Sequence, residues 1–466
     1  MLPKLNSGSF RDPAGHIYEN DNSIYRSISQ HGKKAFEEIH QTNIINDAIK
    51  EKFIVATKIL SEDKIPENLK NSAYVLEHNK LPYISYPYEW SFYQLKDAAL
   101  HHLDFQIYLF EKGFTLKDAS AYNMQFIGAR PIFIDILSIK KYSAGEFWTS
   151  HKQFCENFLN PLLLKSLLDL NHNSWFRGAL DGIPTADLAK LIPFRKKLSW
   201  NIFSQVILHA RFDRLAVKNQ EKPSIKNKKT KSLPKLAYIG LLKQMRNWIA
   251  KLKPLNKEKT LWADYTNTNT YSSEETKAKF DLLAEFIQAT KPNKLLDLGC
   301  NNGEFSFAAI KNGAQSVVGF DFDQSSIADA YLKAKKHQAP FLPLYLDAAN
   351  PSPNQGWIQQ ERKGFNERTK ACALIALAFI HHLAIAKNTP LEQTIDWIIS
   401  LAPTGLIEFI PKNDPTICKM LRLRQDIFID YNIENFENIL KSKAKIIKKT
   451  QITKNGRVVF WFKKTV

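Results

Sequence analysis

Asp297, Asp321 and Asp347 stand at or just beyond the carboxyl ends of three successive apolar runs, 294–298, 316–320 and 341–346. Such runs suit buried parallel strands, whose carboxyl ends share one crevice in an open α/β sheet. After the first run comes Gly299-Cys300-Asn301-Asn302-Gly303, a turn that opens a helical pattern. Glycine at Gly299 and Gly303 lets a ligand approach the backbone closely, and the helix start offers unpaired N–H groups. The G-x-x-x-G spacing is not the G-x-G-x-x-G of dinucleotide sites, and no G-K-[ST] follows, so the turn is not built for pyrophosphate. Asp321 is placed to accept hydrogen bonds from both hydroxyls of a ribose. Three carboxylates around one crevice suit a nucleoside carrying positive charge. S-adenosylmethionine, with its sulfonium and amino group, is that ligand.

A doubly wound sheet is needed to hold these acids. Further strand-like runs cover 372–377 and 405–410, and helical patterns cover 277–290, 305–311 and 324–337. The end differs: 444–449 and 457–463 read as strands joined through Lys454-Asn455-Gly456, a hairpin signal. The expectation is an α/β domain over 261–466, a parallel sheet finishing in an antiparallel hairpin. His381 and His382 follow the fourth strand and Glu408 ends the fifth, which makes each a candidate base for a hydroxyl or amine acceptor. The aromatic stretch from Trp262 to Tyr271 reads as a flap or as a packed entry segment.

The stretch Asp297 to Gly303, with Asp321 and Asp347, resembles the first three cofactor motifs of class I S-adenosylmethionine-dependent methyltransferases. The resemblance covers about 200 residues and implies a Rossmann-like fold and methyl transfer to an O- or N-nucleophile. It also implies that Asp297 and the turn of Gly299, Cys300, Asn301 and Gly303 hold the methionine part. Asp321 would hold the ribose and Asp347 the adenine amino group. In that family the position of His381 and His382 faces the methyl donor, as a base or to shape the pocket. The chain lacks the Asn-Pro-Pro-aromatic motif typical of nucleobase and glutamine-amide methylation.

Residues 1–217 follow another pattern, α+β in class. Turn signals at Asp12-Pro13-Ala14-Gly15 and Asn20-Asp21-Asn22 imply short strands. A helix is expected over 94–112, a hairpin through Ile127-Gly128-Ala129, and helices over 147–170 and 188–212. Asp118, four residues, Asn123, the hairpin and then Asp135 resemble the catalytic and metal-binding loops of protein kinases and small-molecule phosphotransferases. Carried over, Asp118 would be the base, and Asn123 and Asp135 would hold magnesium beside ATP. The departures are Leu116-Lys117 before Asp118, Ile136-Leu137 after Asp135, and no glycine-rich nucleotide loop. Three readings stand: a kinase-like domain without catalysis, an active Mg-ATP phosphotransferase, and another acceptor-binding domain. The order of the whole chain is similar to a bacterial group of two-part methyltransferases, some of whose members are host-specific nodulation proteins. Ser9-Phe10-Arg11-Asp12-Pro13 and Tyr86-Pro87-Tyr88-Glu89-Trp90 join the two loops above in carrying that likeness.

The net charge is +19, and 218–259 holds 13 Lys and Arg against two acids, so one segment carries most of it. The segment 218–260 reads as an exposed basic linker, turning amphipathic at Leu241, Leu242, Met245, Trp248 and Ile249. It is a solvated connector or a contact for an anionic partner such as RNA. A non-catalytic RNA-binding protein is thus the third functional reading. Cys155, Cys300, Cys372 and Cys418 are scattered with no CxxC, which excludes a disulfide scaffold and a zinc ribbon, and no metal site is expected. No apolar leader opens the chain, and the apolar stretch 371–386 is too short and polar to span a bilayer. A cytoplasmic protein is expected. The acceptor stays open among glycan, protein, metabolite and RNA.

Overall fold

The computed structural model of the protein describes residues 2–21, 23–219, 234–256, 273–422 and 425–465. The first half opens with β1 (Lys4–Leu5), β2 (Ile17–Glu19), β3 (Ser23–Ile28), β4 (Thr57–Ile59) and β5 (Tyr74–Asn79), an antiparallel sheet in the order β1-β2-β3-β5-β4. Helices α1 (Gln30–His40) and α2 (Ile44–Lys50) lie between β3 and β4. The Ser29 hydroxyl caps α1 by accepting the Gly32 N–H. Next comes α3 (Phe92–Glu111), opened by a capping box between Ser91 and Gln94 and buried along most of its length. β6 (Phe114–Leu116) pairs with β9 (Ile139–Lys141), and β7 (Met124–Ile127) with β8 (Arg130–Phe133). The α+β expectation for this half holds in its element order. The helix expected over 188–212 is instead three pieces, Thr185–Leu191, Phe194–Lys197 and a continuous helix from Trp200 to Asn219 with a π turn over Phe203–Ile207. Pro193 and the turn at Ser199 interrupt it.

The basic linker needs correction. Lys235–Lys251 is a helix lying along α3, with Tyr238, Ile239, Leu242, Met245 and Ile249 buried. Arg246 makes a two-pronged ion pair with Asp104, at 2.8 and 3.0 Å. Its apolar stripe outweighs its basic composition, so this part of 218–260 belongs to the first half. Leu241, expected on the buried face, is exposed. Residues 220–233, 257–260 and the stretch from Trp262 to Tyr271 lie outside the described residues.

The second half has β10 (Leu295–Leu298), β11 (Val317–Asp321), β12 (Phe341–Tyr345), β13 (Ala373–Ala376) and β14 (Thr404–Phe409), then β15 (Ala444–Gln451) and β16 (Val458–Lys464). The sheet order is β12-β11-β10-β13-β14-β16-β15. The first five strands are parallel, and β16 runs antiparallel between β14 and β15. The doubly wound sheet ending in a hairpin is therefore present. Helices α4 (Ser273–Thr290), α5 (Glu304–Lys311), α6 (Gln324–His337), α7 (Leu391–Leu401) and α8 (Ile433–Lys443) frame it. The order reverses beside β10, so the topological switch point falls between the ends of β10 and β13.

One contiguous core runs through both halves. At the junction the Arg368 guanidinium pairs with Glu89, both nearly sealed from water, and stacks 4.4 Å from the Tyr86 ring centre. Tyr83 Oη and Thr369 Oγ1 are hydrogen-bonded at 2.9 Å, Gln94 donates to the Pro343 carbonyl at 2.9 Å, and Tyr331 donates to Asp97 at 2.7 Å. The tip of the β7–β8 hairpin also docks here. A Cβ on Gly128 would sit 2.6 Å from the Ala339 carbonyl. Removing one partner of a buried ion pair strands the other charge, at a cost of about 3–5 kcal/mol. Arg368→Ala is expected to lower stability by about that amount. Tryptophan fluorescence and far-UV circular dichroism in urea should then report one coincident transition, shifted as a whole. Two separate transitions in the wild type would show that the halves do not share a core.

Candidate functional site

A cavity of about 260 Å³ opens at the switch point. That is near the low end of small-molecule sites, roughly 300–1,000 Å³. Four strand ends form it: Gly299 to Asn302 after β10, Phe320 to Asp323 at β11, Leu346 to Ala349 after β12, and Leu377 to Phe379 after β13. Glu304 and Phe305 of α5, Thr276 and Lys279 of α4, and His382, Leu383, Ala386 and Lys387 complete the wall. Among the described residues the lining holds four acids, Glu304, Asp321, Asp323 and Asp347, and two lysines, Lys279 and Lys387.

Asp321 fastens the turn. Its Oδ2 accepts the Asn301 N–H at 2.9 Å and its Oδ1 accepts the Asp323 N–H at 2.8 Å. The Phe320 carbonyl accepts the Gly299 and Cys300 N–H groups at 2.8 and 3.0 Å. These bonds hold Gly299 at φ +80° and Asn301 at φ +48°. Burial pushes the Asp321 carboxyl up to about 6, against these backbone N–H donors. Asp347 is half-buried and accepts the Ala349 N–H at 3.1 Å.

Not every residue singled out in the sequence reaches the cavity. Gly299, Cys300, Asn301, Asp321, Asp347 and His382 line it, whereas Asp297, Gly303, His381 and Glu408 lie behind it. Asp297 is 2% exposed and accepts the Ser306 hydroxyl of α5 at 2.6 Å, fastening strand to helix. Gly303 differs from expectation for a packing reason. At φ +88° a Cβ would stand 2.5 Å from the Phe341 ring, so glycine lets α5 close on β12 rather than admitting a ligand. Glu408 is fully buried, and its Oε2 takes both the Lys279 ammonium at 2.8 Å and the Ala378 N–H at 2.7 Å. Ala378 has φ +51°, a conformation alanine rarely adopts, so Glu408 holds a strained turn at the cavity wall. His381 is buried with its ring 4.1 Å from that of His382. Burial lowers the His382 imidazole to about 4, which leaves it neutral at pH 7.

In the first half, Asn123 donates to Asp118 at 3.1 Å, and Asp118 also accepts the Ser120 N–H at 2.8 Å. Asp135 faces Arg26 of β3 at 3.2 Å, and burial raises its carboxyl. Between them Tyr122 carries the Arg362 guanidinium of the second half, 4.6 Å above its ring.

Sequence reasoning missed Lys279, Phe322 and Asp323. Lys279 sits mid-helix in α4 among other charges and gave no signal. Phe322 did carry one: it directly follows the strand-end acid, is 58% exposed, and lies on the cavity wall.

The chain is 43% identical over 460 residues to the nodulation protein NoeA of Rhizobium meliloti (strain 1021), an alignment covering 98% of this chain and 96% of that protein. No family model matches. Among solved structures, the N-methyltransferase NodS from Bradyrhizobium japonicum WM9 in complex with S-adenosyl-l-homocysteine is 9% identical, with TM-score 0.32, covering 44% of this chain and 100% of that one. The magnesium protoporphyrin IX methyltransferase (ChlM) from Synechocystis PCC 6803 is 17% identical, with TM-score 0.31, covering 41% and 84%.

The buried acids make a pH prediction. Burial raises Asp297 to about 7, well above its unfolded value near 3.8. The folded chain therefore holds this proton longer than the unfolded chain, and that contribution is lost as pH rises through 7. Asp297→Asn is expected to gain clearly more stability over the wild type at pH 8 than at pH 5, read from urea midpoints. An equal difference at both pH values would show that Asp297 ionises as an ordinary carboxylate.

Proposed function

The chain belongs to the NoeA family, and we propose that it is an S-adenosylmethionine-dependent methyltransferase acting on a hydroxyl or amine acceptor. One observation carries this reading. The turn after β10 and the acids after β11 and β12 converge on a single acid-rich cavity at the switch point. The residues fit the cofactor. Asp321 would accept the ribose hydroxyls, Asp347 the adenine amino group, and Phe322 with Leu346 would cover the base. The turn from Gly299 to Asn302 would hold the methionine part. The excess of carboxylates suits the cofactor's positive charge, whereas a pyrophosphate would be repelled.

When bound, the cofactor supplies an electrophilic methyl carbon on a sulfonium. The chain must then align an acceptor, exclude water and take a proton. His382, neutral and lining the cavity, would take that proton. Glu408 is already committed to Lys279 and Ala378, so we assign it a positioning role through the turn it holds. His381 supports His382 from behind.

For the first half we infer a kinase-like scaffold that does not transfer phosphate. The ion pair with Arg26 supports this, because it engages the carboxylate that a magnesium ion would need. So does the Arg362 stack on Tyr122, which brings the second half onto the loop between Asp118 and Asn123.

Titration calorimetry tests both assignments, with S-adenosylhomocysteine and, separately, Mg-ATP as ligands. Losing hydrogen bonds to a charged group costs about 10- to 100-fold in affinity. Asp321→Asn is expected to weaken S-adenosylhomocysteine binding by that factor, while Asp118→Ala/Asp135→Ala leaves it unchanged. Mg-ATP binding that depends on Asp135, with no S-adenosylhomocysteine binding, would overturn the proposal.

A further inference from the structure

A second surface lies away from the cavity, where the first half passes through the short helix Phe194–Lys197 into the longer helix that starts at Trp200. Phe194, Leu198 and Trp200 are 76, 73 and 71% exposed, and Leu191 and Phe203 flank them at 44 and 45%. The Trp200 and Phe203 rings lie 6.4 Å apart. The opposite side of the same segment is fixed: Ile192, Ile202, Val206 and Ala210 are buried in the core. The exposed side chains are therefore held outward by a rigid base. Cations alternate with them. Arg195 and Lys197 sit between Phe194 and Leu198, and Arg211 and Arg214 follow, against one acid in this stretch of sequence, Asp213.

Isolated exposed apolar residues are ordinary, but a cluster of this density marks a contact surface. The chemistry narrows the partner. A second copy meeting this patch about a two-fold axis would set the cations against themselves. A nucleic-acid duplex would satisfy the cations and leave Phe194, Leu198 and Trp200 in water, and a single strand stacked on the rings would leave Leu191 and Leu198 uncovered. An anionic lipid surface satisfies both sets, with aromatic and leucine side chains at the headgroup–acyl boundary and Lys and Arg among the phosphates. The net charge of +19 favours the same approach. Among the described residues no helix is long and apolar enough to cross a membrane, so the contact would be peripheral.

We propose that the segment 191–203 is a membrane-interface element that docks the protein on anionic bilayers, independently of cofactor binding. Vesicle flotation of the full chain tests it, with phosphatidylcholine alone and with added phosphatidylglycerol. Binding is expected only with the anionic lipid, and to weaken as salt rises. Phe194→Ser/Leu198→Ser/Trp200→Ser should abolish flotation while leaving the thermal midpoint within about 2 °C, since these side chains bury little. Arg195→Glu/Lys197→Glu should weaken binding by about tenfold or more. Three results would overturn the proposal. They are flotation that the triple variant retains, no flotation at any anionic content, or a wild-type dimer by light scattering that the triple variant dissolves without any lipid binding.

Discussion

The carboxylate of Asp321 is the constraint on which the candidate site rests. It ends β11, and each of its two oxygens accepts one backbone N–H of a neighbouring turn, at Asn301 and Asp323, with acceptor capacity left over. The turn after β10 carries three left-handed residues, Gly299, Asn301 and Gly303, and the carboxylate fixes the Asn301 backbone among them. The anchor also makes the cavity floor polar and negative. A buried acid raised to about 6 is a group whose charge lacks full compensation in the protein alone. A ligand that brings hydroxyl donors and positive charge supplies what is missing.

The wall and the junction are built from one stretch of chain. After β12 the backbone passes Asp347 at the cavity, then runs along the first half before returning as β13. On that path Glu361 meets Arg11 at 2.8 Å, Arg362 stacks on Tyr122, and Arg368 closes on Glu89. One stretch of chain thus joins the cavity wall to the first half.

Much of the second half was legible in the sequence, for definable reasons. Strands buried on both faces are continuous apolar runs, so β10 to β14 stood out within a residue or two of their observed ends. The Asn-Gly turn announced the final hairpin, and Gly456 takes φ +91° there. Strand-end acids were visible because parallel topology puts them side by side. The misses share a different cause. Gly303 looked like a ligand-facing glycine, but its neighbour is Phe341, nearly forty positions on. Glu408 looked like a free base, but its partner Lys279 comes from a helix 129 positions earlier. Pairings of that separation leave no periodic trace. The helix over Lys235–Lys251 showed part of its apolar stripe in the sequence, at Leu242, Met245 and Ile249, but nothing in the pattern told that the stripe packs along α3, more than a hundred positions earlier. The junction between 347 and 369 has little regular structure and gave no pattern.

The most direct test of the central claim is a crystal structure of the chain grown with S-adenosylhomocysteine. The account predicts the ligand in the cavity at the β10–β13 switch point. Its ribose hydroxyls should lie within hydrogen-bond distance of Asp321 and its adenine between Phe322 and Asp347. A ligand bound elsewhere on the chain, or a cavity of unchanged contents at saturating ligand, would contradict it.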